Sequence, residues 1–468
     1  MSDQTPQETV ERALAIAAGI KDVDGCVVLA DESSSANVRW ANNTLTTNGV
    51  TRGRRLTVIA SVKGADGVAA GVVSRSSVRT ADLDDLVRAA VAAASENTPA
   101  EDAGALVEPS RPADPTWHEQ PQETSAAVFE GFVGDLGAAL TKAAAQDRLL
   151  FGFAEHVVNS SFMGSSTDLR LRHDQPTGKL EMNAKSSDLT RSAWSGAATR
   201  DFTDIDIGRD ADALAQRLKW ATRRIDLPAA RYETIVPPGA LADLLIYMYW
   251  SAGARDAHDG RTVFSKPAGA TRVGESLSSL PLTLRSDPSA PGLACIPFVV
   301  AHASSAESSV FDNGLDLSPT SWIDKGRLNS LIQTRHTAAL TGLPVTPAID
   351  NLIFEQDGAT ASLDDMIRST ERGLLLTCLW YIRSVDPQTL LLTGLTRDGV
   401  YLVEGGEVVG AVNNFRFNES PVDLLDRMTE VGSTQVCLCR EWNDYFSRTA
   451  MPAVRIPDFN MSTVSKAS

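Results

Sequence analysis

The chain has 468 residues and a mass of 50.0 kDa, more than one compact core holds, so two to four domains are expected. Its 59 acidic against 43 basic side chains leave a formal charge of −16, which repels polyphosphates and argues against nucleic acid or anionic membranes as partners. No apolar run approaches the roughly 20 residues of a membrane-spanning helix, the five cysteines make no disulfide framework, and Met1–Glu11 lacks the basic start and apolar block of a secretory signal, so a cytoplasmic location is expected.

The first helix has a readable start. Thr5 caps, Pro6 suits the first turn and Glu8 completes a capping box before Val10, Ala13, Leu14 and Ala17. Cys26–Ala30 reads as a buried strand, and Val38–Trp40 and Leu56–Val62 as further strands set off by turns at Asn42-Asn43 and Asn48-Gly49. Glycines 64, 67 and 71 punctuate another strand pair. A second helix opens at Thr80, with Leu83, Leu86, Val87, Ala90, Val91 and Ala94 on one face. Prolines 99, 109, 112, 115 and 121 make 97–122 a linker or a long surface excursion. Phe129, Phe132, Val133, Leu136 and Leu140 then predict an amphipathic helix, followed by short strands at Leu149–Val158, Asp168–Arg172 and Leu180–Asn183 and a helix over Arg209–Arg223. Helix, strands, helix thus occurs twice, which suggests an internal structural repeat without sequence identity to support it.

After Leu227-Pro228 the texture changes. Tyr232–Val236 is a strand, Pro237-Pro238 a break, and Leu241–Trp250 a helix apolar nearly all round, hence buried. The remainder is mostly β. Leu390–Thr393, Val400–Glu404 and Glu407–Val412 predict a meander turning at Asp398-Gly399 and Gly405-Gly406. The expected class is α+β, with an N-terminal α/β domain of antiparallel strands and helices over 1–227. A C-terminal domain, mainly antiparallel β with a buried helix, is expected over 228–468.

Local catalytic motifs are missing. The six histidines (118, 156, 173, 258, 302 and 336) include no pair one helical turn apart, so the chain carries no local zinc motif. There is no Gly-x-Ser-x-Gly elbow, no Ser-x-x-Lys pair, no phosphate loop at Gly178-Lys179 and no dinucleotide fingerprint among Gly64, Gly67 and Gly71. Cys437 and Cys439 would share one face of a strand, and His258 with Asp256 and Asp259 is the one tempting metal cluster. The simpler readings are a buried strand and a solvated turn. Arg52, Arg54 and Arg55 read as one side of a solvated strand, with gripping of a peptide carboxylate as the alternative.

Several stretches, in order along nearly the whole chain, resemble the TldD/PmbA family of cytoplasmic peptidase subunits, once called modulators of DNA gyrase. They are Ser35-Ala-Asn-Val-Arg-Trp-Ala-Asn-Asn, Gly53-Arg-Arg-Leu-Thr-Val, Phe311-Asp-Asn-Gly, Trp322-Ile-Asp-Lys-Gly-Arg-Leu, Val400-Tyr-Leu-Val-Glu-Gly-Gly-Glu and Asn413-Asn-Phe-Arg. Catalytic members of that family resemble one another in a His-Glu-x-x-x-His stretch on the first buried helix of the C-terminal domain, with a cysteine near the C-terminus completing a zinc site. The matching stretch here is Leu244-Leu-Ile-Tyr-Met-Tyr-Trp-Ser. It places Ile246 and Ser251 at the histidine positions and Tyr247 at the glutamate position, with Cys437 or Cys439 as the match to the cysteine. Isoleucine has no lone pair for zinc, and neutral tyrosine is a poor general base near pH 7.

The chain therefore looks like the PmbA (TldE-like) side of the family, which lacks the zinc motif. The resemblance implies a non-catalytic subunit with no cofactor of its own. Zinc is expected in a TldD-type catalytic partner, and the complex would cleave small or unfolded peptides inside an enclosing cavity. A stand-alone hydrolase with a dispersed site, a catalytically silent homodimeric peptide-binding scaffold and a direct gyrase modulator are the alternatives. The acidic balance offers the last of these no support.

Overall fold

The computed structural model describes residues 4–465; Met1, Ser2 and Asp3 of the N-terminal reading lie outside the described residues. Helix α1 spans Pro6–Ala18 and starts as its sequence predicts, with the reciprocal capping box of Thr5 and Glu8 in place. Three strands follow: β1 (Val23–Ala41), β2 (Thr44–Lys63) and β3 (Val68–Ser76), then α2 (Leu83–Glu96). After an irregular excursion come α3 (Glu130–Ala145), β4 (Arg148–Ser165), β5 (Arg170–Ser186), β6 (Ser192–Thr199) and α4 (Ile207–Trp220).

The six strands form one antiparallel sheet in the order β3-β2-β1-β4-β5-β6, in which the first strands of the two halves pair from Val27↔Ser165 to Trp40↔Gly152. This order reads the same outward from the β1–β4 pair. The internal repeat is therefore real at the level of topology. Even-numbered residues of β1 explain why it forms. Cys26, Val28 and Ala30 face a core with α1 and α2, whereas Ala36, Val38 and Trp40 face one with α3 and α4. One strand thus serves both halves, and all four helices cover the same face of the sheet.

Several local expectations change. The strands are far longer than the apolar runs, because cross-strand hydrogen bonding continues through the polar stretch of β1, where odd-numbered Asp31, Ser33, Ser35, Asn37 and Arg39 stay partly or fully exposed. Asn42 and Asn43 both take positive φ (51° and 61°) in the two-residue β1–β2 turn, but Asn48-Gly49 lies within β2 instead of forming a turn. Gly71 does not separate two strands; it lies in β3, where a Cβ would sit 2.1 Å from the Ala90 carbonyl of α2. Val133 is exposed and not part of the α3 core face. Residues 97–122 have no helix or strand, yet they are anchored: Trp117 is buried against Phe162, and Leu106 and Val107 pack on Val27 and Leu29.

Strand β7 (Arg224–Ile225), β8 (Ala230–Val236) and α5 (Pro238–Trp250) then lead into two further sheets. The ten-stranded sheet runs Trp380–Asp386, Leu391–Leu395, Phe415–Glu419, Val454–Val464, β8, Arg372–Leu376, Val400–Glu404, Glu407–Val412 and β7, with Glu430–Val431 also on Val454–Val464. The other has six strands: Arg327–Leu328, Thr320–Asp324, Leu282–Ser286, Leu352–Gln356, Thr449–Met451 and Gln435–Cys437. Both sheets mix antiparallel with a few parallel pairs, and the fold is α+β.

Gly405 and Gly406, both at positive φ, close the expected hairpin between Val400–Glu404 and Glu407–Val412. The meander itself does not exist. Leu391–Leu395 pairs with Phe415–Glu419 and Trp380–Asp386, and Asp398-Gly399 carries the chain across the sheet. Close packing sets that path, since a Cβ on Gly399 would lie 2.4 Å from the Thr377 hydroxyl. Among the described residues no helix is long and apolar enough to cross a membrane.

Candidate functional site

Helix α5 occupies the middle of the largest core cluster. Pro238 at its first turn follows the extended Pro237, and ten of its thirteen residues are buried. It packs among side chains of both C-terminal sheets, including Leu284 and Phe354 from one and Leu376 and Phe415 from the other.

The three motif positions can be placed one by one. Ile246 is fully buried in this core. Tyr247 is half-buried, its ring 5.7 Å from that of Trp442. Ser251 lies just past the helix end, where its hydroxyl donates to the Tyr247 carbonyl at 2.9 Å. The strand Gln435–Cys437 ends before Cys439, so the two cysteines do not share a strand face. The Cys437 sulfur lies 3.4 Å from the Thr449 hydroxyl, and Cys439 donates to the Phe446 carbonyl at 3.3 Å. Burial pushes the Cys437 thiol up to about 12 and Cys439 further above its usual value, so both stay protonated at neutral pH.

His258 donates through Nδ1 to the Gly269 carbonyl at 2.8 Å, while Asp256 pairs with Arg261 and Asp259 with Arg255. The expected solvated turn is instead the end of a short helix, Ala254–His258, with Asp259 just after it; ion pairs hold these residues, and they are not brought together with the cysteines. Among the described residues no three His, Cys, Asp or Glu side chains converge to hold a metal ion. Apolar, phenolic and hydroxyl side chains at the motif positions, with two protonated thiols, do not fit a zinc ion. The arginines of β2 also separate: Arg52 pairs with Glu123 and Arg54 with Glu32 on one face, and Arg55 is exposed on the other.

What occupies the region instead is a clamp built on Asp243, which the sequence reading passed over. It is the one charged side chain in α5 and is fully buried. Its carboxyl oxygens accept from the backbone N–H of Arg440 (3.2 Å) and of Glu441 (2.8 Å), and the indole of Trp442 donates to its backbone carbonyl at 2.9 Å. Burial, only partly offset by the two N–H donors, raises its pKa to about 8. The signal was a lone aspartate inside an apolar helix.

The clamped segment continues the two cysteines and ties the molecule together. The Arg440 guanidinium lies 3.8 Å from the ring centre of Trp380 and 5.4 Å from that of Trp194, a residue of β6. Glu441 accepts from the backbone N–H of Tyr381 and Ile382 at 3.1 and 3.2 Å. Trp442 packs on Tyr247 and Trp250. Aromatic and apolar groups cover most of α5, leaving only its first turn at the edge of a cavity.

Beside this clamp runs a groove. Strand β6 is an edge of the first sheet and Gln435–Cys437 an edge of the third. A cavity of about 360 Å³ between them is lined by Ser195–Ala198, Pro237–Gly239 and Gln435–Leu438. Val436 is 48% exposed there, and Gly196 leaves room for the neighbouring Trp194 ring, which a Cβ would meet at 2.5 Å. Both strands are sheet edges, which present backbone donors and acceptors to an extended chain, although the Trp194 carbonyl is already taken by Arg217.

Residues 229–463, half of the chain, match the family model of the PmbA/TldA metallopeptidase C-terminal domain. The chain belongs to the TldD/PmbA metallopeptidase-like family. Solved structures of similar fold include TldE from Thermococcus kodakarensis, with 18% identity and a TM-score of 0.79 over 97% of this chain and 99% of that one. A candidate modulator of a DNA gyrase from Thermotoga maritima has 16% identity and a TM-score of 0.75 over 97% and 99%. Another candidate modulator of DNA gyrase, from Bacteroides thetaiotaomicron, has 14% identity and a TM-score of 0.73 over 98% and 99%. No curated protein sequence matches the chain.

Proposed function

We propose that this chain is the non-catalytic subunit of a cytoplasmic TldD/PmbA-type zinc peptidase, in which a TldD-type partner holds the zinc and cleaves small or unfolded peptides. One observation carries the reading: the motif position at Ile246 is fully buried in an apolar core, beside the Asp243 clamp. A residue there has neither a ligand atom nor access to solvent. The groove between β6 and Gln435–Cys437 supports a role in holding peptide, because backbone pairing at a strand edge tolerates many side chains.

The test is co-purification with a chain bearing His-Glu-x-x-x-His, followed by elemental analysis and peptide cleavage. The isolated chain should carry no stoichiometric zinc and cleave nothing, and the pair should do both. Zinc bound by the isolated chain and lost on replacing Cys437 and Cys439 would overturn the assignment. Chelator-insensitive cleavage by the isolated chain would instead establish a stand-alone hydrolase. Light scattering that shows a stable homodimer unable to take a partner would establish a scaffold.

A further inference from the structure

A second cavity, of about 460 Å³, lies where the β5–β6 hairpin meets β7 and the strands of the ten-stranded sheet. Four cations line it, Lys185, Arg191, Arg224 and Arg397, against the single carboxylate of Asp398. The other cavities behave differently. The groove beside β6 has two arginines and two aspartates, and three further surface cavities likewise set two arginines against two or three carboxylates. In a chain of net charge −16, one cavity with four cations to one carboxylate is a concentration of positive charge that ordinary surface pairing does not explain.

The cations are also left free to bind. Among the described residues Lys185, Arg191 and Arg224 form no ion pair; Arg191 donates to the Leu218 carbonyl, and Lys185 lies over the Phe151 ring. Asp398 is already engaged, accepting from Ser192 and lying 3.6 Å from Arg397. Asp188, in the turn between β5 and β6, accepts from Ser186 and Thr190, and the nearby charge of Arg191 adds a smaller contribution to holding its carboxyl below the usual range. Volume and position suit a small molecule, since ligand sites of this size form where separate layers of a fold meet. A singly charged ligand would leave most of the four cations uncompensated.

We infer that this cavity binds a small polyanion, a molecule bearing two or more phosphate or carboxylate groups. The guanidiniums supply paired donors for such oxygens, and Tyr401 and Val412 supply apolar wall for the remainder of the ligand. The inference does not depend on the subunit assignment, because it concerns the isolated chain and no peptide.

The experiment is calorimetric titration of the full chain at fixed ionic strength with inorganic pyrophosphate and, separately, with citrate. Saturable binding of at least one is expected, and the tighter of the two identifies phosphate or carboxylate as the group recognised. The paired substitution Lys185→Glu with Arg224→Glu should weaken it at least fivefold. Arg52→Glu with Arg88→Glu, the same charge change at other sites, should leave it within twofold of the parent. Lys185→Gln with Arg224→Gln replaces the reversal should that variant not fold. No saturable binding of either anion, a loss of less than fivefold, or an equal loss in the control pair overturns the inference.

Discussion

Helix α5 and the cavity beside the β5–β6 hairpin treat charge in opposite ways. Around α5 one carboxyl is removed from water and kept neutral by burial, and it accepts two backbone N–H groups of the segment that covers it. In the cavity four cations stay near solvent, largely unpaired. A buried polar group must be satisfied internally or it costs stability, whereas exposed cations remain available to a ligand. The helix stretch around Ile246 is structural core, and the uncompensated charge lies elsewhere.

The comparison can be tested from its strongest element down. Ile246→Ala empties a buried apolar core position and should cost about 2–5 kcal/mol in denaturant unfolding. A cost under about 1 kcal/mol would mean that the position is not close-packed. Asp243→Ala leaves the Arg440 and Glu441 N–H groups without their acceptor and should cost about 1–3 kcal/mol.

The same carboxyl predicts a pH dependence. The folded group holds its proton up to about pH 8, whereas an unfolded aspartate releases it near about 4. The folded state therefore binds more protons across that window. Its stability is greatest below the window and falls as pH rises through it, by at most about 1.4 kcal/mol per pH unit. Asp243→Asn should flatten this slope, and an unchanged slope would show that the burial of Asp243 does not control it.

Arg440→Lys replaces a planar cation stacked between two tryptophans with a compact one. It should cost about 0.5–2 kcal/mol and shift the tryptophan emission. The smallest effect belongs to the short helix that ends at His258: Asp256→Ala breaks a solvent-facing pair and should change stability by less than about 0.5 kcal/mol. A larger loss there would mark the pair as more than a surface ion pair.

Legibility in the sequence followed the range of the interaction. The α1 capping box, the Asn42-Asn43 and Gly405-Gly406 turns and the apolar helix over Leu241–Trp250 were all readable, because each is decided by neighbours within a few residues. The extent of β1 and the course of Asp398-Gly399 were not. A polar strand persists only when both neighbours bond it, and a turn dipeptide cannot announce which strand it must pass.

The sequence by itself determined the α+β class, the family and the identities at 246, 247 and 251, since residue chemistry and order need no coordinates. Only the tertiary structure decided that Asp243 would be fully buried and clamp 440–442, and that four dispersed cations would share one cavity. Asp243 lies 198 residues from Glu441, and Arg397 comes from far along the chain relative to the other three cations, so burial and electrostatic compensation depend on distances in space that sequence spacing does not carry.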